Sequence, residues 1–501
     1  MQNQLIKKMV IVGGGTAGWM TAALMGKLLM GKIQIELVES DEIGIIGVGE
    51  ATIPAIKIYN QLLGLNEVEM MKATQATFKL GIEFVDWRDK NTTYIHGFGK
   101  VGTDLLWMRT YQFWSKLKDT ANLKDLDNYS IGVVAARMNK FAMPNGQDLN
   151  SPMADFDYAY QFDAALFGQY LRKIAQNYGV KRTEGKITKV NVNSENGFIE
   201  TLDLENGNSV SGELFVDCSG ARGLLISQTL GAEFDSYSKW LLCDSAYAIG
   251  CTSAQELTPY TRSTAHESGW QWRIPLQHRI GNGHVFSSNY MNNENALDIL
   301  LKNLDGEALN EPKLVKFTPG KRKEVFKKNC VAIGLSSGFL EPLESTSIHL
   351  IQTAILRLLS LFPSDRFSQV DIDEYNRQTE AEYEFVRDFI IAHYKITNRT
   401  DSEFWKYCKN MEIPQSLNDR IELFKSSGRF FQTNNELFKE ESWVQVLLGQ
   451  GLKINPDPMT NLIPDEDLVS FLKNVEDVIL ENAKFFIPHV DFIKDYCKSG
   501  V

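Results

Sequence analysis

The sequence predicts an α/β fold in which a Rossmann-like nucleotide-binding module is assembled from separate parts of the chain. Residues 9–39 have a strand–helix–strand pattern, and residues 183–216 have the pattern of a β-meander. Residues 330–361 have the pattern of a strand, a turn and a helix, and the chain beyond about residue 370 is mostly helical. We therefore expect a β-sheet interleaved with the nucleotide module and a helical C-terminal substrate module.

The nucleotide module begins near the N-terminus. Residues 9–12 are an apolar strand, residues 16–31 have helical periodicity, and residues 33–38 form a second strand. A glycine-rich stretch then ends at Pro54, which favours the first turn of a helix, and helical patterns continue to about residue 80.

Composition excludes several classes of partner. The 501 residues include 52 Lys and Arg against 63 Asp and Glu, which gives a net charge of −11. Nucleic acids and anionic membranes require a concentrated positive face, so neither is an expected partner. An anionic cofactor must instead be held by backbone amides and local dipoles.

Cysteine and histidine usage argues against disulfide and metal sites. The six cysteines show no CxxC spacing, and the seven histidines form no metal-binding motif. Residues 7 and 8 lead directly into a strand, which leaves no room for a signal peptide, and no apolar run approaches membrane-spanning length. We expect a cytoplasmic protein without a metal.

A glycine motif lies between the first strand and the first helix. Gly13 permits a tight turn, Gly15 allows a pyrophosphate to approach the backbone, and Gly18 allows close packing of helix on strand. Glu39 follows the second strand, where an acidic residue binds ribose hydroxyls. The motif predicts a dinucleotide site; the alternative is a purely structural glycine turn.

Two later strand–turn segments favour FAD over NAD(P). Residues 215–220 and 333–338 each end a predicted strand in a turn that could enclose a long ligand. Ordinary connections between strands and helices are the alternative.

Three further groups have side chains suited to chemistry. Trp270 and Trp272 share one face of a predicted strand and could wall a cavity, although packing alone is the commoner role of such pairs. Lys79 has apolar neighbours, so it is either a solvated helix lysine or a desolvated amine. Glu344 precedes a helix, where it either caps the helix or acts in the site, and amides near Thr346 could hold a halide.

Eight strings together resemble the flavin-dependent tryptophan halogenases over nearly the whole chain. They are GGGTAGWMTA (13–22), GVGEATIP (47–54), FKLGIEFVDWR (78–88), DCSGARGLLI (217–226), LLCDSA (241–246), GWQWRIP (269–275), VFSSNY (285–290) and IGLSSGFLEPLEST (333–346). The resemblance implies an FAD-binding module of the flavin monooxygenase type over 5–90, 155–235 and 320–362. It assigns 91–154, 236–319 and 363–501 to the substrate module.

The resemblance also implies a reaction. A separate NAD(P)H-dependent flavin reductase supplies FADH2, which reacts with O2, and chloride or bromide is converted to hypohalous acid. This oxidant passes through an internal tunnel to Lys79, which directs it at an indole-type ring. Glu344 stabilises or deprotonates the cationic ring, while Trp270 and Trp272 keep the substrate away from the flavin.

Binding residues follow by the same matching. The halide lies at the amides of Thr346 and Ser347, and the substrate pocket contains His96 and Phe98. Trp443, which lies in a segment that matches the family poorly, could add another ring to the pocket. The implied flavin contacts are Gly13, Gly15, Thr16, Ala17, Gly18, Glu39, Val48, Val190, Leu335 and Ile348.

Two departures from the family concern specificity. Ser347 stands where most relatives have glycine, which leaves the choice between chloride and bromide open. Residues 433–452 lack the adjacent tyrosines that recognise free tryptophan, so we expect an indole ring to fit while free tryptophan binds poorly. The rival functions are an FAD-dependent aromatic hydroxylase and a flavin-binding protein without turnover. A homodimer is compatible with the sequence.

Overall fold

The computed structural model describes residues 4–42, 49–147, 151–253, 256–433 and 436–498. The chain divides into two compact units. The first unit contains residues 1–76, 162–239 and 316–383, and the second contains residues 77–161, 240–315 and 384–501. The sequence assigned residues 77–90 to the first module and residues 363–383 to the second, whereas the compact units place these two segments the other way round.

The elements of the described residues are numbered along the chain. The strands are β1 Lys8–Val12, β2 Gln34–Glu39, β3 Gly49–Ala51, β4 Thr77–Lys79, β5 Gly81–Val85, β6 Thr93–Gly97, β7 Lys140–Phe141, β8 Ala159–Asp163, β9 Lys181–Glu184, β10 Ile187–Val192, β11 Ile199–Leu204, β12 Ser209–Ser211, β13 Leu214–Asp217, β14 Phe234–Ser236, β15 Ser245–Cys251, β16 Thr261–His266, β17 Gly269–Pro275, β18 Ile280–Phe286, β19 Lys313–Lys316, β20 Gly320–Arg322, β21 Phe326–Lys327, β22 Cys330–Ala332, β23 Gly338–Phe339 and β24 Ile487–Pro488. The helices are α1 Thr16–Leu29, α2 Ile56–Leu63, α3 Glu67–Thr74, α4 Thr110–Leu117, α5 Ile131–Arg137, α6 Ala164–Asn177, α7 Asn293–Lys302, α8 Ser347–Ser360, α9 Gln369–Lys395, α10 Glu403–Asn410, α11 Gln415–Ser427, α12 Glu440–Gly449, α13 Asp465–Lys484 and α14 His489–Tyr496.

The first unit is built on a sheet with the strand order β21-β22-β13-β1-β2-β9. Strands β22, β13, β1, β2 and β9 run parallel, as the βαβ pattern of the sequence predicts. Because both faces of a parallel sheet are covered, β1 is an apolar run that is buried from its second residue onward. The predicted meander is confirmed as β9 to β13, with a separate sheet of order β10-β11-β12.

The second unit is built on a sheet of order β19-β15-β18-β17-β16-β5-β6. Strands β15 to β18 are joined antiparallel, and β16 pairs parallel with β5. Helices α10 to α14 confirm the helical pattern predicted for the C-terminal part of the chain. The helical pattern predicted up to residue 80 is wrong at its end, because residues 77–79 form strand β4, which pairs antiparallel with β8.

Candidate active site

The glycine turn, residues 13–18, joins β1 to α1 in the first unit. Gly13 has a φ of +114°, and a Cβ built on it would lie 2.3 Å from the carbonyl oxygen of Cys218. A Cβ on Gly18 would lie 1.8 Å from the Gly13 carbonyl oxygen. Neither position has room for a side chain, because the helix packs directly against the turn, as predicted for this motif.

Gly15 differs from the glycines on either side of it. Apart from its neighbours in the chain, no atom of the described residues lies within 4 Å of a Cβ built on Gly15. The turn and the first helical residues, Thr16 and Ala17, are half-buried, whereas α1 is buried from Gly18 to Gly26. The half-buried N-terminus of α1 therefore offers amides and open space to an anionic group such as a pyrophosphate.

Glu39 ends β2 beside the glycine turn. Its carboxylate lies where a Cβ on Gly14 would be, and it accepts a hydrogen bond from Arg182. Arg172 lies 3.6 Å from the same carboxylate. The residue is thus at the position predicted for ribose binding, and it is held there by arginine side chains.

A second glycine turn packs against the first helix. Gly334 has a φ of +78°, and a Cβ built on it would lie 2.7 Å from the Cβ of Ala17. Ile333 donates a backbone hydrogen bond to the Asp217 carbonyl (3.0 Å), which joins the turns after β22 and β13. The next side chain, Leu335, is 46% exposed. Three predicted turns therefore meet at one edge of the sheet, with an apolar side chain left open to a ligand.

The remaining predicted flavin contacts, Val48, Val190 and Ile348, come from three separate segments of the chain. Val190 lies on β10 and packs against the apolar cluster beneath the meander. Ile348 is buried in the first turn of α8. Val48 lies outside the described residues. The open face at Gly15, the half-buried helix N-terminus and the exposed Leu335 side chain together fit an extended dinucleotide such as FAD.

Glu344 and Thr346 precede helix α8 in the first unit. Glu344 ends a short 3-10 turn and is fully buried, and Ser345 then reverses the chain with a φ of +57°. The N-cap residue of α8 is Thr346, two residues after Glu344.

Thr346 is buried at the start of a 14-residue helix. No hydrogen-bond partner for its hydroxyl lies among the described residues. Ser347 follows as the first helical residue, and the first amides of a helix have no acceptor within the helix. This helix N-terminus thus has the donors that a small anion requires.

Lys79 is the last residue of β4 in the second unit. The sequence left open a solvated helix lysine, but the residue lies on a strand and its exposed fraction is 0%. Its Nζ lies 5.5 Å from the centre of the Phe98 ring. An ammonium over an aromatic face is stabilised by the ring quadrupole, and burial strengthens that attraction.

Aromatic rings from distant segments surround this amine. The lysine chamber comprises Lys79, His96, Phe98, Phe389, Phe438 and Trp443. The His96 ring lies 6.3 Å from Phe98 and 5.8 Å from Phe389. Phe389 stacks on Phe438 at 3.8 Å and meets the edge of Trp443 at 4.8 Å. The structure thus brings the predicted Lys79, His96, Phe98 and Trp443 together.

The tryptophan pair lies on β17, as predicted. The rings of Trp270 and Trp272 are 6.1 Å apart, and Trp270 is buried while Trp272 is half-buried. Gly283 is opposite Trp272 on β18, and a Cβ built on Gly283 would lie 2.0 Å from the Trp272 ring. The ring therefore occupies space that only glycine leaves open.

The second unit also contains a cavity of about 350 Å³. It is lined by residues 100–104 and 109–111, by Asp155, and by Glu440, Glu441 and Val444. Two of its lining residues, Lys100 and Val444, are close in the sequence to Phe98 and Trp443.

The charges around this cavity are mostly acidic. Arg109 bridges Asp104 (2.6 Å) and Glu440 (3.0 Å), and Lys100 pairs with Asp155 (2.6 Å). Glu441 adds a fourth carboxylate against these two cations. The lining therefore carries a net negative charge.

Sequence reasoning did not single out several residues of these sites. Phe389 and Phe438 complete the lysine chamber, and Gly283 fits Trp272. Of these three residues, only Phe438 had a local signal, which is its position five residues before Trp443. Outside the chamber, burial raises the pKa of Glu50, the acid of the GVGEATIP string, to about 7.

In the described ranges, no group of three or more His, Cys, Asp or Glu side chains is arranged to hold a metal ion. No helix in the described part of the chain is long and apolar enough to cross a bilayer.

Comparisons with known proteins give one consistent result. A family model described as tryptophan halogenase matches residues 8–465. The chain is 36% identical over 445 residues to tryptophan 6-halogenase ThaL of Streptomyces albogriseolus, which covers 84% of this chain and 82% of the relative.

Solved structures agree with the family model. Xcc4156, a flavin-dependent halogenase from Xanthomonas campestris, has a TM-score of 0.95 at 46% identity and covers 99% of this chain and 100% of its own. BrvH, a flavin-dependent halogenase from Brevundimonas sp. BAL3, has a TM-score of 0.94 at 43% identity and covers 98% of this chain and 99% of its own.

Proposed function

The chain belongs to the tryptophan halogenase family and is a flavin-dependent halogenase, and from that premise we propose that it halogenates an indole-type aromatic substrate. The proposed reactants are FADH2, O2 and chloride or bromide, with a separate NAD(P)H-dependent flavin reductase as the transient source of FADH2. The observation that carries the proposal is the buried amine of Lys79 beside the aromatic side chains of the lysine chamber.

The glycine turn is proposed to hold the cofactor. Gly13, Gly15 and Gly18 shape the turn, Thr16 and Ala17 present amides to the pyrophosphate, and the carboxylate of Glu39 faces the ribose. Val48, Val190, Leu335 and Ile348 are the further proposed contacts. Bound reduced FAD supplies, with O2, the oxidising equivalents that convert halide to hypohalous acid.

The halide is proposed to bind at the N-terminus of α8. Support comes from the buried Thr346 hydroxyl, which has no partner among the described residues, and from the first amides of the helix. The amide of Ser347 is available whatever side chain that residue carries.

Lys79 is proposed to aim hypohalous acid at the ring. Its ammonium donates a hydrogen bond to the oxidant oxygen and thereby polarises the halogen. The carbon–halogen bond forms as the halogen–oxygen bond breaks, and the oxygen leaves as water with a proton from Lys79. The ring then loses its proton to a carboxylate, the role proposed for Glu344, which also stabilises the positive charge on the ring. Trp270 and Trp272 are proposed to keep the substrate away from the flavin.

The divergent segment 433–452 supports a preference among indoles. Free tryptophan carries an ammonium and a carboxylate, and this segment lacks the adjacent tyrosines that recognise the amino-acid part of tryptophan in the family. Charged groups that find no matched partner are costly to take out of water, whereas an uncharged indole has no such cost. We therefore expect kcat/KM for indole to exceed that for free tryptophan by at least about tenfold, or about 1.4 kcal/mol.

A product assay tests the function. The protein is supplied with FAD, a generic flavin reductase, NADH, O2 and bromide, and it is offered indole, free tryptophan and a phenol in separate reactions. Mass spectrometry distinguishes the outcomes: a brominated indole supports the proposal, and an oxygenated indole supports the aromatic hydroxylase. Flavin turnover without an altered indole would contradict the proposed substrate class.

A further inference from the structure

The C-terminal helix contacts the strand that carries Lys79. Successive side chains of a strand point to opposite faces, so Phe78 points away from the face on which Lys79 lies. The Phe78 ring stacks on Phe141 with centres 4.1 Å apart, and it meets Phe492 and Tyr496 of α14 at 5.5 and 6.0 Å. One side of β4 is therefore the lysine chamber, and the other is an aromatic cluster supplied partly by α14.

His489 adds a directed contact to this packing. The backbone N–H of Phe78 donates to His489 Nε2 (3.3 Å), and His489 Nδ1 lies 3.0 Å from the carbonyl oxygen of Leu257. A carbonyl oxygen only accepts, so Nδ1 carries the proton and Nε2 is left as the acceptor. The imidazole thus joins the backbone of β4 to the segment that contains Leu257.

The ring keeps this form at neutral pH. His489 is fully buried, and burial lowers its pKa to about 4. A protonated imidazole would have no acceptor for the Phe78 amide, whereas the neutral ring has one.

The start of α14 is itself fixed by backbone contacts. The backbone N–H of His489 donates to the Asn139 carbonyl (2.8 Å), and Ile487 of β24 pairs with Phe141 of β7. The imidazole is therefore attached to backbone that is itself held by hydrogen bonds, and its contact with the Phe78 amide holds β4 in place relative to that backbone.

We propose that His489 is a positioning residue for Lys79, which fixes the backbone of β4 through the Phe78 amide so that the amine meets its substrate at a productive distance. This role rests on the proposed function, because it matters only if Lys79 aims the oxidant. Reacting groups displaced by about 1 Å can lose about 100-fold in rate, so a contact one residue from the amine is well placed to affect product formation.

Two substitutions separate the acceptor from the ring. His489→Phe keeps an aromatic ring in the cluster and removes the acceptor, whereas His489→Gln offers an amide oxygen to Phe78 and an N–H to Leu257. We expect His489→Phe to make at least about tenfold less halogenated indole per FADH2 oxidised than the wild type, with an unchanged rate of flavin oxidation. The product yield of His489→Gln should lie within about threefold of the wild-type yield. His489→Leu serves as the second acceptor-free variant if His489→Phe does not fold.

Phe492→Leu is the matched control on the same helix. It weakens packing on Phe78 and leaves the hydrogen bond in place, so it should lower the thermal midpoint while keeping halogenated product per FADH2 near the wild-type value. If product falls in proportion to stability in all variants, or if His489→Phe halogenates like the wild type, the positioning role is overturned.

A second measurement does not depend on halogenation. Hydrogen–deuterium exchange at the Phe78 amide should be slow in the wild type and in His489→Gln, and faster in His489→Phe. Equal rates in all three proteins would overturn the contact itself. Altered exchange, together with a wild type that yields no halogenated indole, would instead overturn the proposed function and leave the hydrogen bond established.

Discussion

The glycine turn of the first unit and the lysine chamber of the second are built from different materials. The turn consists of backbone from one short segment, and three of its four glycines have no room for a Cβ. The chamber consists of side chains from residues 79 to 443, which meet only in the fold. A backbone site is sensitive to added atoms, whereas a side-chain site is sensitive to removed atoms. Substitutions in each should therefore fail in opposite ways.

The largest expected effect is the loss of the amine from the chamber. Lys79→Ala should lower halogenated indole by at least about 1000-fold, or about 4 kcal/mol, because no other group is proposed to polarise the oxidant. Stopped-flow absorbance should show flavin oxidation at the wild-type rate. Lys302→Ala, at an exposed lysine of the same unit, is the control. Normal product from Lys79→Ala would remove this residue from the mechanism.

The glycine turn gives the reverse experiment, in which an atom is added. Gly15→Ala places a Cβ in open space, so the protein should fold normally while FAD affinity falls by about 100-fold. Gly18→Ala places a Cβ 1.8 Å from a carbonyl oxygen and should destabilise the fold by about 1–3 kcal/mol or more. FAD titration and thermal unfolding of both variants separate the two effects. Unchanged FAD affinity in Gly15→Ala would mean that the cofactor does not approach this residue.

The substitution Glu344→Gln tests whether a buried carboxylate of the first unit contributes to halogenation. Glu344→Gln keeps the size of the buried group and removes its charge, so halogenation should slow by about 10- to 100-fold. Glu324→Gln, at a half-exposed position in the same unit, is the control for loss of one acidic group. Single-turnover product formation is the measurement, and an unchanged rate would leave Glu344 with a structural role only.

Gly283 extends the comparison to the second unit, where a glycine also makes room for a ring. Gly283→Ala should displace Trp272 and lower stability by about 1–3 kcal/mol, because the new Cβ would lie 2.0 Å from the indole. In the same sheet, a Cβ at Gly250 would meet the end of the Arg279 side chain at 3.3 Å, so Gly250→Ala should be milder. Urea unfolding measures the stability of both variants, and Trp fluorescence reports the environment of Trp272. Equal urea midpoints for Gly283→Ala and Gly250→Ala would contradict this account of Gly283.

The last expected effect is on the pH dependence of stability, and it arises in the second unit. Burial lowers the pKa of His489 and of His284 to about 4, and that of His266 to about 3. The unfolded chain binds protons on these residues below about pH 6.5, while the folded chain does not, so stability should fall as the pH falls from about 6.5 to about 4. The urea midpoint should change less steeply with pH in His489→Gln than in the wild type. An unchanged slope would contradict a lowered pKa of His489.

Much of the first unit was predictable because its signals are local. The spacing of Gly13, Gly15 and Gly18 after an apolar strand predicted the turn, and the structure has β1 and α1 where the pattern placed them. The second unit was less predictable around Lys79. A short segment with apolar residues on both sides fits a helix or a strand equally well, and only pairing with β8 selects the strand.

Family resemblance identified residues that local pattern could not. Lys79, His96 and Phe98 were predicted to share a pocket from the resemblance, Trp443 was offered as a further ring from the divergent segment 433–452, and the structure brings the four together. Phe389 was not predicted, because a phenylalanine within a long helix gives no sign of which ring it will meet.

The sequence by itself determined the parallel sheet, the glycine turn and the shared face of Trp270 and Trp272, since each depends on neighbours within one segment and on a fixed backbone period. The tertiary structure alone decided that Lys79 is buried, that Gly283 accommodates a tryptophan ring, and that His489 receives the Phe78 amide. Those contacts join residues that are far apart in the chain, and long-range pairing sets them rather than local propensity.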